Sequence, residues 1–191
     1  EGESVMFKTP VSIKDNPRIN DWLTLVEKEM RMSLAQILAE SVQEMNVFYL
    51  AETLDPAAFL SWIDKIPDQL VVLTSQITWT STVERALVTM ADSGNPSNEQ
   101  PIQQALDYVL RALNVLADTV LQDLAPIQRK KCEHLITDLV HQRDVIRALI
   151  RTKVSSPKVF SWLSQMRFYF NASHEDPLQC LNITMANASF L

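Results

Sequence analysis

A chain of 191 residues with 47% hydrophobic and 21% charged side chains can bury a sizeable core, which excludes a disordered chain, and no run of about 18 apolar residues offers a bilayer span. The net charge of −6 is uneven: residues 1–125 carry −10, residues 126–158 carry +5 and the rest −1, so a basic face over the whole chain, the usual requirement for nucleic acid, is missing while an acidic protein partner remains open. With two glycines, Gly2 and Gly94, far apart, no glycine-rich loop can cradle a phosphate, and few turns needing positive φ are available, so the chain is expected to consist of few, long helices.

The first element opens at Asn16-Pro17, a cap followed by a first-turn proline. Its stripe Leu23, Val26, Met30, Leu34, Ile37, Ser41 and Met45 predicts a helix of about 28 residues, roughly 40 Å long at 1.5 Å per residue. Asp55-Pro56 repeats the signal for a short helix through Phe59, Leu60 and Ile63 that Pro67 ends. From Asp68 the chain steps Leu70, Leu73, Ile77, Val83, Leu87 and Met90. The β-branched Val71, Val72, Ile77, Thr78, Thr80, Thr82 and Val83 compete for a strand, but the period is nearer 3.6 than 2 and the run exceeds the usual strand length, so helix is expected.

Asp92 to Ser97 collects turn formers into an exposed loop. Pro101 then stands in the first turn of a helix with the seam Ile102, Leu106, Val109, Leu113, Leu116, Val120 and Leu124. The break at Leu124-Ala125-Pro126 is so short that the next helix, about Pro126 to Lys153, should return antiparallel, with Leu135, Leu139, Ile146 and Leu149 facing that seam. Ser155-Ser156-Pro157 caps a short helix through Trp162 and Leu163. Beyond Met166 the aromatic Arg167-Phe168-Tyr169-Phe170 and the alternation of Leu181, Ile183 and Met185 predict two short strands around a polar turn at Ser173 to Asp176. The expected fold is therefore mainly α: an elongated antiparallel helical bundle over residues 1–166 and a small two-stranded β element at the C-terminus, residues 167–191.

No catalytic or cofactor-binding residue emerges from these patterns. Cys132, His134 and His141 are metal-ligand types, but residues two apart project to different faces of a helix and no fourth ligand is evident, so a buried thiol beside surface imidazoles is expected and no metal. Cys132 and Cys180 are too few to staple the chain, which points to free thiols and a reducing compartment. The N-x-[ST] triplets at Asn171, Asn182 and Asn187 would be glycan acceptors in a secreted protein, but the triplet arises often by chance. Trp22, Trp62, Trp79 and Trp162 all lie in helical segments and are expected to anchor the core.

Two basic groups are candidates for partner docking. Arg143, Arg147 and Arg151 recur at i, i+4 and i+8 and so form a ridge on one face of the return helix. Arg129, Lys130 and Lys131 place three positive charges in a first turn, against the helix macrodipole. Surface solvation or internal pairing is the alternative for both.

Five stretches in order carry a resemblance: WLTLVEKEMR from Trp22, QLVVLTSQITWT from Gln69, LITDLVHQRDV from Leu135, WLSQMRFYF from Trp162 and MANASF from Met185. Together they span nearly the whole chain, and they resemble the C-terminal part of the linker region of the cytoplasmic dynein heavy chain family, before its first AAA+ module. Asn46 to Asp55 and Asp92 to Gln100 depart from the family and are expected to be loops.

The resemblance implies a lever that arches over an AAA+ ring and changes shape as the ring cycles ATP, in a minus-end-directed microtubule motor of the cytoplasm and cytoskeleton. This segment would be no enzyme and hold no cofactor, ATP and Mg belonging to the parent chain. Implied partners are the AAA+ ring of the same heavy chain and, for the parent, microtubules, the dynein intermediate, light intermediate and light chains and a second heavy chain, with no nucleic acid and no membrane. The chain starts at Glu1 without methionine and stops at Phe190-Leu191 within an apolar pattern, so it is expected to be cut from a longer protein, the strands leading toward that first module. The rival expectations are a static helical scaffold and a secreted helical signalling domain.

Overall fold

The computed structural model describes residues 3–15, 18–94, 98–173 and 179–186. The elements are α1 (Ile19–Leu50), α2 (Pro56–Lys65), α3 (Asp68–Asp92), α4 (Gln100–Thr119), α5 (Pro126–Arg151), α6 (Phe160–Leu163), β1 (Arg167–Phe170) and β2 (Leu181–Thr184). The mainly α class and the terminal two-stranded sheet match the sequence reading. The expected cap at Asn16-Pro17, most of the turn after Ser173 and the sequon at Asn187 lie outside the described residues.

At 32 residues α1 exceeds the expected 28, because it continues through Asn46 to Leu50, where a loop was expected. Its C-terminal half lies against the core through Leu38, Ser41 and Met45, whereas Leu23 on the N-terminal half is exposed. Extended chain covers part of that half: Thr9 N–H donates to Glu29 Oε1 at 2.7 Å, Lys8 N–H to Ser33 Oγ at 3.2 Å, and Trp22 Nε1 to the Val11 carbonyl at 3.4 Å. Trp22 is thus half-buried at this contact and stands outside the main core, so it is no core anchor. α2 begins as its cap predicts, with Asp55 Oδ1 accepting from Ala57 N–H at 3.2 Å and Pro56 in the first turn.

α3 is the central element. It meets α1, α4, α5 and β1, so it is buried on several faces, and its β-branched residues mark all-round burial in a helix instead of a strand. Thr80 Oγ1 donates to the Gln76 carbonyl at 2.8 Å and Thr89 Oγ1 to that of Arg85 at 2.9 Å, satisfying these hydroxyls within the helix. Trp79 meets Trp162 edge-on with centroids 5.3 Å apart, and Trp62 stacks on Phe59 at 5.8 Å with Phe48 edge-on to both.

Helix directions differ in part from the antiparallel expectation. α4 and α5 are antiparallel: Arg129 reaches Val120 at one end while Val109 and Gln142 line one small cavity further along. But Asp68 faces His134, Gln76 faces Asp138 and Trp79 faces His141, so α3 and α5 run the same way. α1 also runs with α3, as Leu34 shares a groove with Leu70 and Met45 a cavity with Thr78. α2 and α4 supply the reversals that periodicity cannot reveal. β1 and β2 pair antiparallel with Phe168 opposite Ile183 and Phe170 opposite Leu181, and Phe168 N–H, on the edge away from β2, donates to Thr80 Oγ1 at 3.1 Å. The sheet is thereby fixed to the central helix.

Candidate functional site

Two of the three charges near the start of α5, Arg129 and Lys131, turn inward. Lys131, 3% exposed, directs Nζ at the carbonyls of Ile63 (3.4 Å), Asp64 (3.2 Å) and Ile66 (2.6 Å), the last turn and cap of α2. Those carbonyls have no partner within their own helix and sit at its negative end, so an ammonium there satisfies orphan acceptors and opposes the dipole. Glu3 completes the cluster: Oε1 lies 2.7 Å from Lys131 Nζ, and Oε2 accepts the Asp68 N–H at 2.9 Å. Burial alone would raise the Glu3 carboxyl, but the hydrogen bonds from Lys131 and from the Asp68 N–H, with the lysine charge, hold it below its ordinary value.

Arg129 does for α4 what Lys131 does for α2, donating from Nη1 to the Val120 carbonyl at 2.7 Å and from Nη2 to that of Gln122 at 3.1 Å. The docking role expected for Arg129 and Lys131 therefore gives way to internal pairing: each neutralises the end of a neighbouring helix. Lys130, between them, is exposed. Arg129 and Lys131, which oppose the dipole of α5, serve α4 and α2 instead.

Midway along α5 is a polar cluster the sequence reading missed. Gln76 Nε2 donates to Asp138 Oδ1 at 3.0 Å, and Gln142 Nε2 lies 2.6 Å from Asp138 Oδ2 and 2.8 Å from Ser75 Oγ. Burial pushes the Asp138 carboxyl up, against the lowering effect of these donors and of His141. Donors and acceptor meet across α3 and α5, so their pairing selects one register of the two helices. The signal available in sequence was Asp138 and Gln142 at i, i+4 beside the apolar seam.

The metal-type residues separate. Cys132 is fully buried and its thiol is pushed up by burial, His134 Nδ1 lies 2.8 Å from Asp68 Oδ2, and His141 leans on Trp79 at 6.4 Å. Among the described residues no three His, Cys, Asp or Glu side chains gather as a metal cluster. The space enclosed by Met45, Tyr49, Ser75, Thr78, Tyr108 and Gln142 is about 10 Å³, at most enough for one water.

The remaining predicted residues do share a surface. Arg147 and Arg151 are exposed, and Arg143, partly covered, donates from Nε to Asp144 Oδ1 at 2.8 Å. Each ridge arginine is followed immediately in sequence by Asp144, Ala148 or Thr152, the next row around α5. That row, with Val145 and Leu149, forms one wall of an open groove of about 450 Å³ whose other wall is Phe160, Ser161, Ser164 and Gln165. Phe160 is 41% and Val159 39% exposed. Ser161 Oγ, inaccessible to solvent, has no hydrogen-bond partner among the described residues. The sequence reading found the ridge but not the groove, because α6 reaches α5 only through the turn after Arg151.

No family model matches the chain. It is nevertheless 49% identical over 190 residues to the cytoplasmic dynein heavy chain of Drosophila melanogaster and 47% identical over 193 residues to that of Dictyostelium discoideum, in each case over 100% of this chain and 4% of the relative. The axonemal dynein heavy chain 5 of Rattus norvegicus is 34% identical over 173 residues, covering 89% of this chain and 4% of that one. The chain is therefore homologous along its full length to one segment of the cytoplasmic dynein heavy chains, and it spans about 4% of the length of the curated relatives it matches. Among the described residues no helix is long and apolar enough to cross a membrane.

Proposed function

We propose that this segment is the C-terminal part of the linker of a cytoplasmic, minus-end-directed microtubule motor, a lever that passes ATP-driven rearrangements of an AAA+ ring into movement. The full-length match to cytoplasmic dynein heavy chains carries the reading. The fold is physically suited to it: a central helix locked on several sides, with helix ends tied together by Lys131 and Arg129, resists bending, so force applied at one end is delivered at the other.

On this reading the segment performs no catalysis, and ATP and Mg are handled by the rest of the heavy chain. Its nearest partner is the AAA+ ring of the same chain; microtubules, the intermediate, light intermediate and light chains and a second heavy chain meet the parent elsewhere. β1 and β2 lead toward the first AAA+ module, so the residues following Leu191 in the parent should form a strand and then a G-x-x-x-x-G-K-[ST] loop.

Arg143, Arg147 and Arg151, with Lys130 at the other end of the helix, form the docking face toward the ring or a neighbouring linker element. Reversing the three arginines to glutamate in the complete motor should slow microtubule gliding or uncouple ATP turnover from it. Unchanged velocity and turnover would remove the docking role.

A further inference from the structure

The N-terminal half of α1 stands apart from the main core. Among the described residues Leu34 is the first of α1 to pack into that core, so residues 19–33, roughly 22 Å of helix at 1.5 Å per residue, contribute nothing to it, and Ile19, Leu23 and Leu25 are exposed. One face of this half is nevertheless covered. Trp22, Val26, Glu29, Met30 and Ser33, its less exposed residues, stand at i, i+4, i+7, i+8 and i+11 and so share that face. A helix of this length is marginal in water without a packed face, so whatever covers the stripe decides whether the half-helix is ordered.

Over it lies the extended segment 3–11. Val5 and Phe7 are half-buried while Met6 between them is 85% exposed, the alternation of an extended chain laid on a surface. The segment runs antiparallel to α1: Lys8 N–H donates to Ser33 Oγ, Thr9 N–H to Glu29 Oε1, and the Val11 carbonyl accepts from Trp22 Nε1. Its other end reaches a different part of the molecule, where Glu3 lies 2.7 Å from the buried Lys131 ammonium and accepts the Asp68 N–H at 2.9 Å. Asp68 opens α3, so its N–H has no acceptor within the helix and Glu3 supplies one. Each end is thus fastened by a carboxylate, Glu29 on α1 and Glu3 at the start of α3 and α5, and charge-assisted bonds of this kind are roughly twice as strong as neutral ones.

We propose that residues 3–11 are a strap with two fastenings that couples the order of the N-terminal half of α1 to the junction of α2, α3 and α5 at Lys131. With both carboxylates engaged the half-helix is braced. Loss of either frees the segment, and residues 19–33 then open as a unit while the core-packed half of α1 stays folded. The coupling is reciprocal: loosening the strap on α1 weakens the hold of Glu3 at the far end. It stands independently of the docking reading of the arginine ridge.

Hydrogen exchange in the complete heavy chain, read by mass spectrometry with electron-transfer fragmentation, tests both directions. Glu3→Gln should speed exchange of the amides of residues 23–33 by about fivefold or more and leave those of residues 38–49 within about twofold. Thr9→Pro removes the N–H that Glu29 accepts and leaves the Lys131 cluster untouched, and an extended chain accepts the ring. It should speed the same amides and, across the strap, the Asp68 amide by about threefold or more. The double variant should exceed the larger single effect by less than about twofold, because a strap released at one end has little left to lose. Unchanged exchange of residues 23–33 in Glu3→Gln, equal acceleration of both halves of α1, an Asp68 amide indifferent to Thr9→Pro, or single effects that multiply in the double variant would each overturn the proposal.

Discussion

The two ends of α5 bear the same kind of residue and use it in opposite ways. Near its start, Arg129 and Lys131 reach carbonyls at the ends of α4 and α2, and Lys131 binds Glu3 as well. Near the last turn Arg147 and Arg151 remain in solvent beside a half-apolar groove. The difference follows from what lies opposite. Two helices end beside the start of α5 with unsatisfied carbonyls, whereas beside its C-terminal end the chain presents the rings and hydroxyls of α6. One cluster holds helix ends together, and the other stays in solvent.

The sharpest way to break this contrast is at Lys131. Lys131→Met keeps the aliphatic volume but leaves three carbonyls and the Glu3 carboxylate without their cation, and should destabilise the segment by about 3 kcal/mol in urea unfolding. A change under about 1 kcal/mol would mean that water takes over the cluster. Arg129→Ala removes two carbonyl contacts at a half-buried site and should cost about 1.5 kcal/mol by the same measurement.

Acid titration separates Glu3 from Asp138 by the sign of the slope. The Glu3 carboxyl is held below its ordinary 4.5, so its contribution is complete above that pH and is lost as pH falls through the folded-state value. Glu3→Gln should abolish this loss. Asp138 is displaced upward from 3.8, so the folded chain binds its proton more tightly and gains stability as pH falls from the raised value toward 3.8. Asp138→Asn should remove that gain, and unfolding free energies measured across pH in both variants check the two opposite slopes.

The smallest effect belongs to the other end. R147E/R151E should change stability by no more than about 0.5 kcal/mol, since neither exposed side chain holds a neighbouring helix end. A larger loss would show that the ridge, like Lys131, is part of the scaffold.

Much of this molecule was legible before its structure. The 3.6-residue periodicity places every long helix, because burying an apolar stripe needs that spacing whatever the stripe meets. Proline positions mark the starts of α2, α4 and α5, and the antiparallel α4–α5 pair follows from a connection too short for any other return. The arginine ridge was visible for the same reason, since i, i+4 and i+8 share a face of any helix.

What periodicity cannot express is which element lies opposite. That Lys131 is buried depends on the end of α2 arriving 65 to 68 residues earlier in the chain, and that Arg147 is not depends on α6 turning back beside Ala148 without a carboxylate to offer it. The parallel course of α1, α3 and α5 and the Gln76–Asp138–Gln142 cluster likewise come from long-range packing. Sequence alone determined the helices and the surfaces on which the charges stand; the tertiary structure decided which charges would be neutralised inside, because that requires a particular pair of distant groups to meet within hydrogen-bond reach.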